Sequence, residues 1–417
     1  MTSSSRTSSS RARMAQRGKR GAGGDRRGVE RGCDGRDAWR YLNLHDYAPV
    51  ARRRLPRALY AYVAGAAGDG RALEANRAAF ARWCLIPHVL RGVAGRRADA
   101  TILGRAYAMP VGISAFGAAG VIRHDADRAM ARAARAAGVP YQLSANSITP
   151  MEEVIADNPD AWFAAYLPGD ASAIARMVAR VARAGFGTLV VTVDLPVAAR
   201  REDEARAGYA MPLRPSARLG LDMLVHPRWV LGQMGRTLLK RGVPHIENIA
   251  PGRGPSIFAR DVGAVGGAAD FNWDSVRAIR RLWGGKLVLK GILAATDALH
   301  ARDIGVDGII VSNHGARLSD TVIAPLEALP AIRAACPDMT ILLDGGVRRA
   351  GDAITAIALG ADGVMIGRPF FFATILGGQA GLAHAIGLVA GELDREMAFL
   401  GLLDLKESRD GRLYRRM

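Results

Sequence analysis

The sequence predicts an α/β chain folded as a (β/α)₈ TIM barrel, with an insertion after strand 4 and a disordered basic N-terminal tail. Three observations lead there. Eight short apolar, β-branched runs alternate with Ala-rich helical runs. Each run is apolar along most of its length, as parallel strands buried on both faces must be. No G-x-G-x-x-G opens the first strand-to-helix turn, which disfavours a doubly wound open sheet.

The strands are expected at 110–116 (PVGISAF), 141–145 (YQLSA), 162–167 (WFAAYL) and 188–194 (TLVVTVD), then at 287–292 (LVLKGI), 308–314 (GIIVSNH), 341–347 (ILLDGGV) and 363–369 (GVMIGRP). Between them lie helical patterns such as 124–138 and 352–360, and 55–70 reads as a short helix running into a Gly-rich turn. The interval from Asp194 to Leu287 is far longer than the roughly 30 residues of a βα unit. Residues of about 203–270 therefore form an insertion at the barrel mouth.

The chain has 417 residues and a formal charge of +18. Residues 1–40 hold eleven Arg or Lys against four Asp or Glu, with no apolar run. Residues 1–38 are read as a disordered Arg/Ser/Gly-rich tail, or an over-extended start with Met14 as the initiator, and 39–417 as one barrel domain. A secretory signal needs an apolar core that this segment lacks. Basic charge without interleaved aromatics gives no reason to expect nucleic acid. Cys33, Cys84 and Cys336 have neither metal-ligand nor disulfide spacing, which fits a reducing, cytoplasmic compartment.

In such a barrel chemistry sits at the C-terminal ends of the strands. Those ends carry Tyr166, Thr192, Asp194, Lys290, Ser312, Asn313, His314, Asp344 and Arg368, with Arg200, Arg201, Arg317 and Arg348 just beyond. Any one could be a helix cap or a structural residue; their joint occurrence around one mouth is the signal. Gly345, Gly346 and Gly367, in the turns after strands 7 and 8, let backbone amides approach a phosphate, and Arg348 and Arg368 add charge. Arg201 and Arg317 could grip a carboxylate. His314 could take a proton, Asp194 could stabilise the imidazolium, and Lys290 could offset negative charge developing on a cofactor. The set suits oxidation of an anionic hydroxy compound.

These residues, in TVDLPVAARRE (192–202), VLKGI (288–292), SNHGAR (312–317), DGGVRR (344–349) and IGRP (366–369), with LPRALYAYVAGAAGD (55–69), closely resemble the FMN-dependent α-hydroxy-acid dehydrogenase/oxidase family, which includes glycolate oxidase, L-lactate dehydrogenase and (S)-mandelate dehydrogenase. The resemblance covers about residues 41–410. It implies FMN as cofactor and oxidation of an (S)-2-hydroxy acid, mandelate- or lactate-like, to the 2-oxo acid. By resemblance His314 is the base and Asp194 its partner, while Arg201 and Arg317 bind the substrate carboxylate. Tyr62 and Tyr166 hydrogen-bond the substrate. Lys290, Ser144 and Thr192 contact the flavin ring, and Asp344, Gly345, Gly346, Arg348, Gly367 and Arg368 hold the ribityl chain and phosphate. A homo-tetramer is a further family expectation.

The chain also departs from the family pattern. Ala164 stands where a flavin-contacting Gln is usual, and Leu318-Ser319-Asp320 replaces the common Gln-Leu-Asp. Ala115-Phe116-Gly117 replaces Pro-Thr-Ala, and the Gly resembles the dehydrogenase branch, in which reduced flavin reacts slowly with oxygen. Within the insertion, LGLDMLVHPRWVLGQMGRTLLKRG (219–242) is interrupted by Asp222, His226 and Arg228, so it cannot span a bilayer. It could lie on a membrane surface with Trp and Leu inserted, placing the chain peripherally on the inner face of the cytoplasmic membrane with quinone as acceptor. The alternatives are a lid or a subunit contact. HPRW (226–229) and ADFNWDSVRAIRRLW (269–283) resemble the membrane-associated mandelate and lactate dehydrogenases. A soluble oxidase releasing hydrogen peroxide and a non-catalytic FMN-binding barrel are the competing functions.

Overall fold

The computed structural model describes residues 41–210, 214, 216–250, 252–259 and 268–415; the expected tail, 1–38, lies outside them. Eight parallel strands form one sheet: β1 (Val111–Ile113), β2 (Gln142–Ser144), β3 (Trp162–Ala165), β4 (Thr188–Thr192), β5 (Lys286–Ile292), β6 (Gly308–Ser312), β7 (Thr340–Asp344) and β8 (Gly363–Ile366). β2 to β8 pair in sequence order, and β8 pairs with β1. A parallel bridge between Ile113 and Tyr141 joins β1 to β2 and closes the barrel. All eight expected strands are present. β3 stops at Ala165, so Tyr166 lies one residue beyond its end.

Each strand leads into an outer helix, at Ala126–Ala137, Met151–Asp157, Ala171–Ala184, Trp273–Leu282, Ala295–Ile304, Pro325–Ala335, Ala350–Ala358 and Arg368–Leu400. Local sequence starts several of them. Asp170 accepts hydrogen bonds from the Ser172 and Ala173 amides, and Asn272 does so from Asp274 and Ser275, satisfying first-turn donors that a helix cannot pair itself. The last helix is long and apolar enough to cross a membrane, but it breaks at Gly378 and packs within the core through residues such as Phe370, Leu382, Val389 and Leu393.

Alternation along each strand divides the interior in two. Leu143, Phe163, Val191 and Leu289 face the helices, whereas Trp162, Ala164, Val190, Val288, Ile310, Leu342 and Met365 fill the barrel. A hairpin of Ala100–Ile102 and Arg105–Tyr107 closes the N-terminal end with Ile102 and Tyr107. Only the C-terminal end is left for a ligand.

The insertion contains helices Glu202–Ala207, Ala217–Leu224, Pro227–Trp229 and Arg236–Arg241, the last two joined by a π-helical stretch, Val230–Gly235. One face packs on the core through Leu219, Met223, Val230 and Met234. The opposite face exposes Leu221, Leu224, Val225, Leu231 (74%) and Leu239 (89%). Trp229 corrects one expectation. It is 5% exposed, and its indole N–H donates to the Ile122 carbonyl at 2.6 Å, so it anchors the segment to the barrel.

Beneath this segment Asp127 is fully buried. Its Oδ2 accepts from the hydroxyls of Ser147 (2.8 Å) and Thr149 (3.2 Å), while Oδ1 has no partner. Burial pushes its carboxyl up to about 6 despite those two bonds. Folding therefore favours the protonated form. That stability is complete below the unfolded value of about 3.9 and is lost as pH rises through about 6. Asp127→Asn, whose NH₂ would take the place of the unpartnered Oδ1, should therefore be more favourable at pH 8 than at pH 4 by about 3 kcal/mol. Denaturant melts at the two pH values check this; an equal effect at both would contradict it.

Candidate active site

The loop after β6 is held in an unusual shape. His314, Gly315 and Ala316 all have left-handed backbones, with φ of 56°, 64° and 59°. Left-handed conformations cost a non-glycine residue energy and persist only where the surroundings enforce them. Asn313 does so here. Its Oδ1 accepts from the Ala316 amide at 3.1 Å, and it exchanges side-chain hydrogen bonds with Asn76 at 2.8 and 2.9 Å. The His314 amide donates to Ser312 Oγ at 3.0 Å. The backbone that carries His314 is thus fixed independently of its ring.

His314 Nδ1 lies 3.0 Å from Asp194 Oδ1, and Nε2 lies 3.4 Å from the Tyr166 hydroxyl. The carboxylate selects the tautomer with the proton on Nδ1, leaving Nε2 free to accept a proton. Burial opposes ionisation of Asp194, but the His314 charge and hydrogen bond, with Lys290, hold its carboxyl below the ordinary value. Asp194 reaches this position past Gly291, where a Cβ would lie 2.5 Å from Asp194 Cβ. Gly291 also sits at a β-bulge in β5. Burial raises the Tyr166 phenol to about 12, so it remains a donor.

Inside the mouth, Lys290 Nζ pairs with Asp344 Oδ2 at 2.9 Å and donates to Ser312 Oγ at 3.0 Å. Ser114, from the end of β1, donates to the same Asp344 oxygen at 3.1 Å. Burial would discharge Lys290, but the charges of Asp344 and Asp194 outweigh it and raise its pKa. Ser144 and Thr192 end β2 and β4, Thr192 in register with Lys290.

The two arginines predicted to hold a carboxylate converge on Glu204, which the sequence reading did not single out. Glu204 Oε1 lies 2.5 Å from Arg201 Nε and 2.9 Å from Arg317 Nη2. Arg317 also donates to the carbonyls of Tyr62 (2.8 Å) and Gly65 (3.2 Å), and its guanidinium lies 5.2 Å from the Tyr62 ring centroid. Tyr62 stacks on Tyr209 and donates its hydroxyl to the Gly117 carbonyl at 2.9 Å. The available signal was position: Glu204 is one helical turn beyond Arg201.

Ser114, Phe116, Lys290, His314, Gly315, Arg317, Asp344, Gly345, Gly346, Arg348, Gly367 and Arg368 line one continuous cavity. Tyr166 and Thr192 line an adjoining one with Leu195 and Phe271. Arg368 donates to the carbonyls of Val63, Gly315 and Gly65 at 3.1, 2.9 and 2.7 Å. Burial lowers the Arg348 guanidinium to about 10 and pulls Arg368 down as well. Among the described residues no carboxylate pairs with either. Gly346 has φ of 86°, and a Cβ there would meet the Asn76 carbonyl at 2.1 Å. That glycine is thus required by packing.

The model for FMN-dependent dehydrogenases matches residues 51–415. The chain belongs to this family. It is 37% identical over 373 residues to an L-lactate dehydrogenase of Azorhizobium caulinodans, covering 87% of this chain and 96% of the relative. It is 34% identical over 371 residues to the (S)-mandelate dehydrogenase of Pseudomonas putida, covering 87% and 91%. Among solved structures, a monotopic membrane protein, (S)-mandelate dehydrogenase, superposes with a TM-score of 0.83 at 32% identity, covering 90% of this chain and all of that one. A mandelate oxidase variant superposes with a TM-score of 0.76 at 31% identity, covering 90% and 99%.

The cofactor of this dehydrogenase is FMN, and the residues present suit it. Arg348 and Arg368, unneutralised by carboxylates beside glycine turns, match a phosphate dianion. The hydroxyls of Ser114, Ser144 and Thr192 and the Lys290 ammonium offer polar contacts to a ring bearing N–H and C=O groups.

Proposed function

We propose that this dehydrogenase oxidises an (S)-2-hydroxy acid to the 2-oxo acid and passes the electrons to a membrane quinone. The observation that carries the reading is the His314–Asp194 pair set beside the Arg201–Glu204–Arg317 cluster. Two guanidiniums against one carboxylate leave one net positive charge, matched to one substrate carboxylate. Arg317 and Arg201 orient that carboxylate, and the Tyr166 hydroxyl, beside His314 Nε2, and the Tyr62 hydroxyl, whose proton is held by the Gly117 carbonyl until a substrate competes for it, hydrogen-bond the substrate. His314 Nε2 takes a proton as the α-carbon is oxidised, and the Asp194 carboxylate stabilises the resulting imidazolium. FMN, when bound, would accept the two electrons together with the second of the two protons that the CH–OH group gives up. Lys290, kept charged by its carboxylate neighbours, favours negative charge arriving on the ring.

Phe116, stacked on Phe371 at 4.1 Å, gives the mouth an apolar wall, so aromatic acids belong in the substrate panel beside lactate. The test is anaerobic mixing of holoprotein with (S)-mandelate, (S)-lactate and longer (S)-2-hydroxy acids. Loss of oxidised-flavin absorbance with at least one is expected; no bleaching with any would refute the reading.

For the acceptor, support comes from the exposed leucine face of the insertion, flanked by Arg228, Arg236 and Lys240, and from likeness to the monotopic mandelate dehydrogenase. Deleting 219–241 should move the protein from the membrane to the soluble fraction, and reduced holoprotein should release hydrogen peroxide slowly in air. An intact protein wholly soluble at low salt, or rapid peroxide release, would count against a membrane quinone.

A further inference from the structure

We propose that Gln142 is a cofactor-binding residue, its carboxamide hydrogen-bonding the polar edge of the FMN ring. Gln142 is the first residue of β2, two before Ser144, so both project into the barrel. It is 0% exposed. Among the described residues neither Nε2 nor Oε1 has a hydrogen-bond partner. A buried carboxamide with both ends unpaired is costly, and native proteins rarely keep one without a partner that binds later.

Its neighbours place it under the ligand cavity. The Ile113–Tyr141 bridge sets the β1–β2 register, so the next step along puts Gln142 beside Ser114. Strands in a sheet lie about 4.8 Å apart. Ser114 lines the cavity and donates to Asp344, the partner of Lys290. On the other side Gln142 is paired with Trp162, whose indole turns to Tyr107 at the closed end of the barrel. Above Trp162 on the same face comes Ala164, in register with Ser144. Its methyl leaves room where a longer side chain would cover Gln142. The open direction for the carboxamide is therefore toward the mouth.

A flavin's pyrimidine edge alternates C=O acceptors with an N–H donor. A carboxamide offers one acceptor and two donors and complements that edge. Position 164 cannot make such a bond, because it is Ala. Gln142, on the adjacent strand, supplies the same functional group from one step lower in the barrel. The other group able to satisfy it is a trapped water.

The test uses apoprotein prepared by removing FMN and titrated by flavin fluorescence quenching, with thermal melts of apoprotein and holoprotein. Gln142→Leu should weaken FMN binding about tenfold, the loss of one ordinary buried hydrogen bond. The same variant should melt no lower than wild type as apoprotein, because it removes unpaired polar atoms. Adding Ala164→Gln to Gln142→Leu should recover affinity. Unchanged FMN affinity in Gln142→Leu would overturn the assignment, as would a lower apoprotein melt with unchanged affinity, the signature of a water-satisfied core residue. Should Gln142→Leu fail to fold, Gln142→Asn keeps the carboxamide but shortens its reach. It must also weaken FMN binding, and wild-type affinity in that variant would refute the proposal.

Discussion

His314→Ala should lower the rate of flavin reduction by substrate roughly 10²- to 10⁴-fold, the range for removing a positioned general base. FMN should remain bound. The separation follows from how the residue is held. Its backbone is fixed by Ser312 and Asn313, whose bonds do not involve the ring. Among the described residues its imidazole has hydrogen-bond contacts only with Asp194 and Tyr166. The corner proposed for the FMN phosphate, at Arg348 and Arg368, and the Lys290–Asp344–Ser114 cluster are built from other side chains. Anaerobic stopped-flow mixing with an excess of a substrate that bleaches wild type, and the flavin content of the purified variant, check both halves. Wild-type reduction by the variant would refute the base assignment; loss of FMN would show that the ring also supports the cofactor.

The barrel was legible because parallel strands covered on both faces leave continuous apolar runs, interrupted only where polar residues reach the mouth. The same contrast made Asp194, Lys290, His314 and Asp344 stand out. What escaped depends on approach between distant segments. Asn76 and Asn313 are 237 residues apart, and nothing local to either announces that their amides pair. Glu204 sits in a charged run that reads as a solvated helix face. It is buried because helix 202–207 packs against Arg57–Ala64, whose following residues also receive Arg317 and Arg368. Trp229 was assigned to the wrong face because an amphipathic pattern gives two sides without saying which meets the barrel. Gln142 was hidden for a related reason: in YQLSA, alternation marks a strand with one polar face, and here that face is turned inward.

Arg317→Met should reduce kcat/KM for the 2-hydroxy acid about 10²- to 10³-fold. This is about 2.7–4.1 kcal/mol, within the ~2–5 kcal/mol typical of truncating one side of a buried, hydrogen-bonded charge pair. In free protein Arg317 is already committed to Glu204 and to the carbonyls of Tyr62 and Gly65. Burial and the nearby Arg201 charge lower its pKa, so its positive charge is held at a cost that an arriving carboxylate relieves. Without it, Arg201 and Glu204 neutralise one another, and the cluster loses the net charge that attracts the substrate carboxylate. The loss should therefore appear for anionic substrates and shrink for an uncharged analogue such as the amide of the same acid. Steady-state kinetics on the acid and its amide separate this from general damage. Equal losses on both would mean that Arg317 supports the fold of the mouth rather than recognising the carboxylate. Arg317→Lys should recover only part of the activity, because an ammonium restores the charge but not the planar fork that reaches Glu204, two carbonyls and a carboxylate together.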